Sequence, residues 1–158
     1  MEKVLEDDQK YRLQPTIDWQ KQKEIDRKNI KIVTQIIDSL GWLGKDKIGE
    51  VANTALFIVI QHAPELSIRD KYLPIMKEAA KKGNVDKGQL AYVIDRGELV
   101  NNRKQIYGTQ YSIDENGKAF IENLIDPKNV NARRKSMNLY SIEEYIKKID
   151  SSNNAMKK

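Results

Sequence analysis

The chain contains no cysteine and a single histidine, His62. The lack of cysteine excludes disulfides, thiolate catalysis and cysteine-based metal sites. With one histidine, a histidine-rich metal centre within one chain is also excluded. The longest apolar run spans residues 55–60, which is far too short to cross a bilayer. The GxGxxG, Walker, HExxH and GxSxG motifs are also missing. We therefore predict no metal, no cofactor and no membrane span.

The residues that are present suffice for one compact domain. The 158 residues are 39% apolar and 32% charged. The net charge of +5 comes mostly from residues 118–158, which hold nine basic and five acidic residues. Acidic residues are interleaved with the basic ones, and no aromatic or glycine-rich stacking platform accompanies them. This pattern favours an ordinary solvated surface over a nucleic-acid interface.

The beginning of the chain bears on its location in the cell. Acidic residues follow Val4 where a secretory signal would have an apolar segment. We therefore predict a cytoplasmic protein. An exported form whose signal peptide had been removed and replaced by a methionine would begin in the same way, so export stays an alternative.

Helical patterns cover most of the chain. Apolar residues recur at helical spacing on one face of residues 25–40, and Gly41 is expected to end that helix. A second helix, about residues 46–63, is apolar around most of its circumference, which is typical of a central helix. Capping boxes are expected to start further helices at Ser67, Asp86 and Ser141.

The pattern changes to strands after residue 103. Two segments with β-type patterns, 104–113 and 118–125, flank a turn that ends in Gly117, which predicts a β-hairpin. The sequence thus predicts a mainly α (α+β) fold, a single-domain helical bundle with one small hairpin near 104–125. The predicted parts are an N-terminal extension (1–15), the helical domain (16–149) and a flexible tail (150–158).

His62 is the first residue with possible chemistry. It lies on the apolar side of the second predicted helix, in the last turn before Pro64. Imidazole changes its charge near neutral pH, so His62 could act as a general acid or base or bind a phosphate. It could equally be a half-buried residue with a satisfied hydrogen bond, or one favoured by the negative end of its helix. Both interpretations stay open.

Asp95 and Arg96 lie side by side near the end of a later predicted helix. Asp95 could orient His62, and Arg96 could clamp an anion. Such a pair more often forms structural salt bridges or caps. The 33 residues between His62 and Asp95 do not decide whether the two side chains meet.

A glycine also interrupts the first predicted strand. Gly108 indicates a bulge or the close approach of a ligand or another backbone. Thr109 and Gln110 then present a hydroxyl and an amide to opposite faces. A helix packed tightly on the strand would explain the glycine equally well.

Several short motifs occur together in one order, and as a set they resemble a bacterial domain family of unknown function over roughly residues 20–148. The motifs are Gly41-Trp42-Leu43-Gly44, Gln61-His62-Ala63, the segments 90–96 and 105–110, and the stretch 126–134. The family has no established activity to transfer. The resemblance implies one polar site, formed by Gln61, His62, Asp95, Arg96, Tyr107, Thr109 and Gln110.

Two functions are compatible with this site. In the first, an uncharacterised bacterial protein binds a small anionic or polar ligand, or a protein partner, in a pocket around His62, through Gln61, Arg96, Tyr107, Thr109 and Gln110. In the second, a small cofactor-free hydrolase or transferase uses His62 as general acid/base and Asp95 as its orienter. Because binding and catalytic sites use the same residue types, the sequence leaves open whether the protein is an enzyme.

Overall fold

The structure, a computed structural model, describes residues 1–14 and 16–156. Eight α-helices, one 3₁₀ turn and one two-stranded antiparallel sheet form the regular structure of these residues. The predicted mainly α fold with one small hairpin is therefore confirmed. Within the same residues, no helix combines the length and apolar character that a membrane span requires.

The chain divides into two compact units, Met1–Asp86 and Lys87–Lys158. The single domain over residues 16–149 stays a prediction. The described part of the first unit contains helices α1 (Glu2–Gln9), α2 (Trp19–Leu40), α3 (Lys45–Ile48), α4 (Glu50–Gln61) and α5 (Leu66–Lys81).

Helix α4 is the centre of the first unit. It packs against α1, α2, α3 and α5, and α1 also packs against α2. The side chains of Leu56, Val59 and Ile60 on α4 are fully buried, which confirms the predicted central helix. Residues 2–9, which we predict as part of an extension, form α1 and belong to this packing.

Two details of the helices predicted in the first unit are wrong: the continuity of one helix and the start of another. Gly49 has a φ of 79° and separates α3 from α4, so the helix predicted over residues 46–63 is interrupted. Glycine adopts such a φ at little cost because it has no Cβ. Helix α5 begins at Leu66 with Glu65 at its N-cap and no capping side chain, so the box predicted at Ser67 does not form. Ser67 instead lies within the first turn.

The second unit combines helices with the hairpin. Its described elements are α6 (Lys87–Val100), β1 (Ser112–Ile113), β2 (Ala119–Phe120), the 3₁₀ turn Pro127–Asn129, α7 (Val130–Ser136) and α8 (Ile142–Met156). In the hairpin, Ser112 pairs with Phe120 and Ile113 pairs with Ala119. Helix α8 packs against β2 and α7.

Helix α8 begins with the predicted capping box. The Glu144 amide donates to the Ser141 hydroxyl at 3.2 Å, and the Ser141 amide donates to the Glu144 carboxylate at 3.1 Å. These bonds satisfy two backbone donors that the helix itself leaves free. The helix continues to Met156, so residues 150–156 of the predicted tail are helical. Residues 157 and 158 lie outside the described residues.

The strands are shorter than predicted because residues 105–110 form a loop. Within it, Gly108 has a φ of 65°. A Cβ at this position would lie 2.8 Å from Cδ1 of Ile142, the first residue of α8, and 3.3 Å from methyl groups of Ile121 and Leu124. Tight packing therefore explains the glycine, as one of the two sequence interpretations proposed.

We expect Gly108→Ala to lower the free energy of unfolding by about 2–4 kcal/mol, because alanine would be strained at this φ and would also clash with Ile142. Gly97→Ala in α6 is the matched control, since a Cβ there meets nothing within 4 Å. The control should be neutral or raise stability by about 0.4–1 kcal/mol. Urea unfolding followed by circular dichroism measures both, and equal stabilities of the two variants would contradict the explanation.

Candidate functional site

A set of polar side chains surrounds His62 in the first unit, and we refer to it as the His62 network. Its members are Asp8 from α1, Arg12 from the turn after α1, Gln22 and Asp26 from α2, and His62 at the C-cap of α4. Asp8 is 1% exposed, and Gln22 and Asp26 are also buried. The His62 side chain is 19% exposed. The acids and the glutamine of the network are thus buried, whereas the imidazole of His62 is partly accessible to solvent.

The two contacts of His62 Nδ1 are mutually exclusive as hydrogen bonds. Asp8 Oδ2 lies 2.8 Å from Nδ1, and Arg12 Nε lies 3.1 Å from it. An ionised carboxylate only accepts and a guanidinium only donates, while Nδ1 either carries a proton or presents one lone pair. The shorter contact, to the charged oxygen, assigns the proton to Nδ1. In the neutral ring, Nε2 then presents its lone pair.

Arg12 is held by the two carboxylates of the network. Its Nη2 donates to Asp26 Oδ2 at 2.8 Å, and its Nε lies 3.8 Å from Asp8 Oδ2. Its Nη1 is buried without a hydrogen-bond partner among the described residues. The Gln22 amide donates to Asp26 Oδ1 at 2.8 Å and to the backbone oxygen of Asp8 at 2.9 Å. Gln22 thereby links α1 to α2.

Burial raises the pKa of Asp26, and the hydrogen bond from Gln22 and the charge of Arg12 oppose that shift. The nearby charge of Asp8 acts in the same direction as burial. Two acids and one guanidinium therefore share a small volume. The network thus fixes the orientation of the imidazole through its Nδ1 atom and places little uncompensated positive charge beside the ring.

A second polar arrangement lies in the second unit, around Asp95 on α6. Asp95 is 0% exposed. Its Oδ1 accepts from the amides of Ile106 at 2.7 Å and Tyr107 at 3.0 Å, and its Oδ2 accepts from the amide and the hydroxyl of Thr109 at 2.9 and 3.0 Å. Four donors fill the acceptor capacity of one carboxylate. Asp95 therefore fixes the 105–110 loop.

Side chains also satisfy the carbonyl oxygens of this loop. The donors are Arg133 to Ile106 at 2.7 Å, Arg134 to Tyr107 at 2.8 Å and to Gly108 at 2.9 Å, and the Tyr145 hydroxyl to Thr109 at 2.7 Å. Arg134 also stacks on Tyr145, with its guanidinium carbon 4.7 Å from the ring centroid. Arg134 is 1% exposed, so the ordinary solvated surface predicted for the basic residues of 118–158 is wrong at this residue.

Gln105 closes the loop at its two ends. Its side-chain amide nitrogen donates to the backbone oxygens of Gln110 at 3.0 Å and Glu122 at 2.8 Å. Its side-chain oxygen accepts from the backbone amide of Gln110 at 2.9 Å. The Gln110 side chain donates to the Thr109 hydroxyl at 3.2 Å. These contacts hold the backbone of the loop, which is a structural role.

The residues that the sequence predicts as one site lie in both units. Tyr107, Thr109 and Gln110 come together in the loop that Asp95 fixes, and Arg96 follows Asp95 on α6 with an exposed side chain. Gln61 and His62 lie at the end of α4 in the first unit. The pairing of His62 with Asp95, and the shared site, stay predictions.

Sequence reasoning missed the partners of His62, namely Asp8, Arg12, Gln22 and Asp26. A signal for two of them was present in α2. The buried stripe of Ile37, Val33 and Ile30 continues toward the N-terminus at helical spacing to Asp26 and Gln22. Polar residues on the buried face of a helix indicate a buried polar network, because an unsatisfied polar group there costs free energy.

No group of three or more metal-ligating side chains is arranged to hold a metal ion within the described residues. The fold, the His62 network and the contacts of Asp95 thus define a mainly helical protein with buried, hydrogen-bonded carboxylates in each unit. The chain belongs to a family of unknown function, DUF6624, whose profile matches residues 10–157. The predicted resemblance to such a family is confirmed, while the bacterial origin stays a prediction. No curated protein and no solved structure matches the chain.

We expect Asp95→Asn to lower the free energy of unfolding by about 2–4 kcal/mol, because the introduced amide nitrogen would face backbone donors that have no other acceptor. Glu115→Gln in the hairpin turn is the control, since this exposed side chain should contribute less than about 0.5 kcal/mol. Urea unfolding measures both. A stability loss in Asp95→Asn no larger than that of the control would contradict the assigned role.

We expect Asp8→Ala to exchange the tautomer of His62. With the carboxylate gone, Arg12 Nε would donate to Nδ1, so the proton of the neutral ring would move to Nε2. The ¹⁵N chemical shifts of the ring nitrogens report this directly, and the single histidine makes the assignment unambiguous. Asp7→Ala, which removes only a bond to Lys3 on the same helix, should leave the Nδ1–H tautomer in place. An Nε2–H tautomer in the parent protein would refute the assignment.

Proposed function

We propose that the protein binds a small polar ligand at His62 and that Nε2 of the ring contacts the ligand. The observation that supports this proposal is the 2.8 Å contact between Nδ1 and the buried carboxylate of Asp8. That contact occupies one nitrogen, orients the ring and leaves the other nitrogen for a ligand. A protein partner that inserts a polar side chain at His62 would use the same contact.

The supporting groups around the ring favour a binding site that is organised before the ligand arrives. Asp8 is tied by the Gln9 side chain at 2.7 Å, and Arg12 is tied to Asp26. Their positions therefore cost little further ordering when a ligand binds. The predicted ligand-binding residues of the second unit are not required by this proposal.

The same contact favours a second candidate, the small cofactor-free hydrolase or transferase. An acid that holds Nδ1–H makes Nε2 a general base, which could take a proton from water or from a substrate hydroxyl. In this candidate, Asp8 has the orienting role that the sequence predicts for Asp95. The nucleophile would come from water or from a substrate, because the network itself contains no serine, threonine or cysteine.

Binding is tested by adding a set of small alcohols, amines, amides and carboxylates to ¹⁵N-labelled protein while the ring signals of His62 are recorded. At least one compound should shift these signals in a saturable manner. In His62→Gln, the accompanying backbone shifts near residues 61–63 should disappear, whereas the exposed neighbour variant Glu65→Gln should retain them. Absence of any shift, or binding that survives in His62→Gln, would overturn the proposal.

The catalytic candidate is separated from simple binding by hydrolysis of p-nitrophenyl acetate, a neutral activated ester. General-base catalysis should give the parent protein a rate about 10²-fold or more above His62→Gln. The rate must also exceed that of free imidazole at the same concentration, because exposed imidazole itself attacks such esters. Equal rates in the parent and in His62→Gln would exclude the catalytic candidate for this ester class.

A further inference from the structure

The charge balance of the His62 network limits which ligands it can accept. Asp8 and Asp26 carry two negative charges when ionised, and Arg12 carries one positive charge between them. With a neutral imidazole, the network has a net charge of −1, and it becomes neutral if Asp26 takes up a proton. In neither state is there an uncompensated positive charge to attract an anion.

Donors of the network are also directed at other members of the network. Both donor bonds of the Gln22 amide go to Asp26 and to the backbone of Asp8, and Arg12 Nη2 donates to Asp26. Arg12 Nη1 is buried, and Arg12 Nε faces Nδ1 of His62 at 3.1 Å. The network side chains thus direct these donors at one another, which disfavours an anionic ligand that needs several donors.

The tautomer sets the direction of the hydrogen bond that His62 offers. Because Nδ1 carries the proton toward Asp8, Nε2 of the neutral ring accepts. The ligand must then supply the donor. The negative charge of Asp8 behind the ring further increases the electron density on Nε2, which strengthens a bond to a donor and weakens any contact with another acceptor.

Two constraints, the charge balance of the network and the tautomer of His62, limit the ligand. Resting on the proposed binding at His62, we infer that the site is selective for a hydrogen-bond donor on a neutral or cationic ligand, with a primary ammonium group as the preferred donor. An ammonium group combines donor protons with a charge opposite to that of Asp8. An anionic ligand, which the sequence also allows, is disfavoured by both the charge balance and the tautomer.

Three probes with the same carbon skeleton test this selectivity: n-propylammonium, n-propanol and propionate. At a pH where the ¹⁵N shifts of the ring show that His62 is neutral, each is titrated against the ring signals. The expected order of affinity is propylammonium, then propanol, then propionate, with the two ions differing by about tenfold or more. Propionate as the strongest probe would overturn the inference and leave the proposed binding at His62 intact.

Asp8→Ala should reverse this order. Loss of the carboxylate raises the net charge of the network by one and allows Arg12 Nε to donate to Nδ1, so Nε2 becomes a donor. Propionate should then bind more tightly than propylammonium, whereas Asp7→Ala should keep the parental order. An unchanged order in a folded Asp8→Ala protein would overturn the inference.

Two further outcomes keep the test decisive. If Asp8→Ala does not fold, the order of the three probes in the parent protein decides alone. If neither these probes nor the wider set of compounds shifts the His62 signals, the proposed binding at His62 is refuted and the selectivity with it.

Discussion

A carboxylate buried in a protein interior is destabilising unless donors fill its lone pairs, and each unit of this chain contains at least one such group. Asp8 receives hydrogen bonds from Gln9 and His62. Asp95 receives backbone amides and the hydroxyl of Thr109. Because His62 and the 105–110 loop lie outside the helices that carry Asp8 and Asp95, each acid connects separate segments of the chain. Asp8 joins α1 to the end of α4, and Asp95 joins α6 to the 105–110 loop.

Local rules predicted the elements whose stability is local. The capping box at Ser141 needs only residues within one turn, and it forms as predicted. The interruption at Gly49 was missed because the apolar pattern continues across it, and the pattern carries no information about φ. The strands were predicted too long because residues 106–110 have strand-like side chains, while backbone amides of this segment donate to the side chains of Asp95 and Gln105.

The site was predicted only as far as single residues reveal it. A histidine on an apolar helix face is unusual, and this alone identified His62. Its partner Asp8 precedes it by 54 residues and lies on a helix whose position depends on the packing of α1 against α2 and α4. No spacing rule connects such residues. The polar continuation of the α2 stripe to Asp26 and Gln22 was the one available signal, and it indicates a buried network without identifying its members on other helices.

Asp8 and Asp95 are the same residue type with nearly the same burial, yet they differ in the groups that donate hydrogen bonds to them. The donors to Asp95 are backbone amides and one hydroxyl, which do not change charge near neutral pH, so this acid can change partners only if its loop unfolds. One donor to Asp8 is the imidazole of His62, whose side chain reaches solvent. The first arrangement is therefore suited to rigidity, and the second is the one at which we propose that a ligand binds. In this chain, the donor set of a buried acid, which only the fold reveals, separates the carboxylate that fixes a loop from the carboxylate of the proposed site.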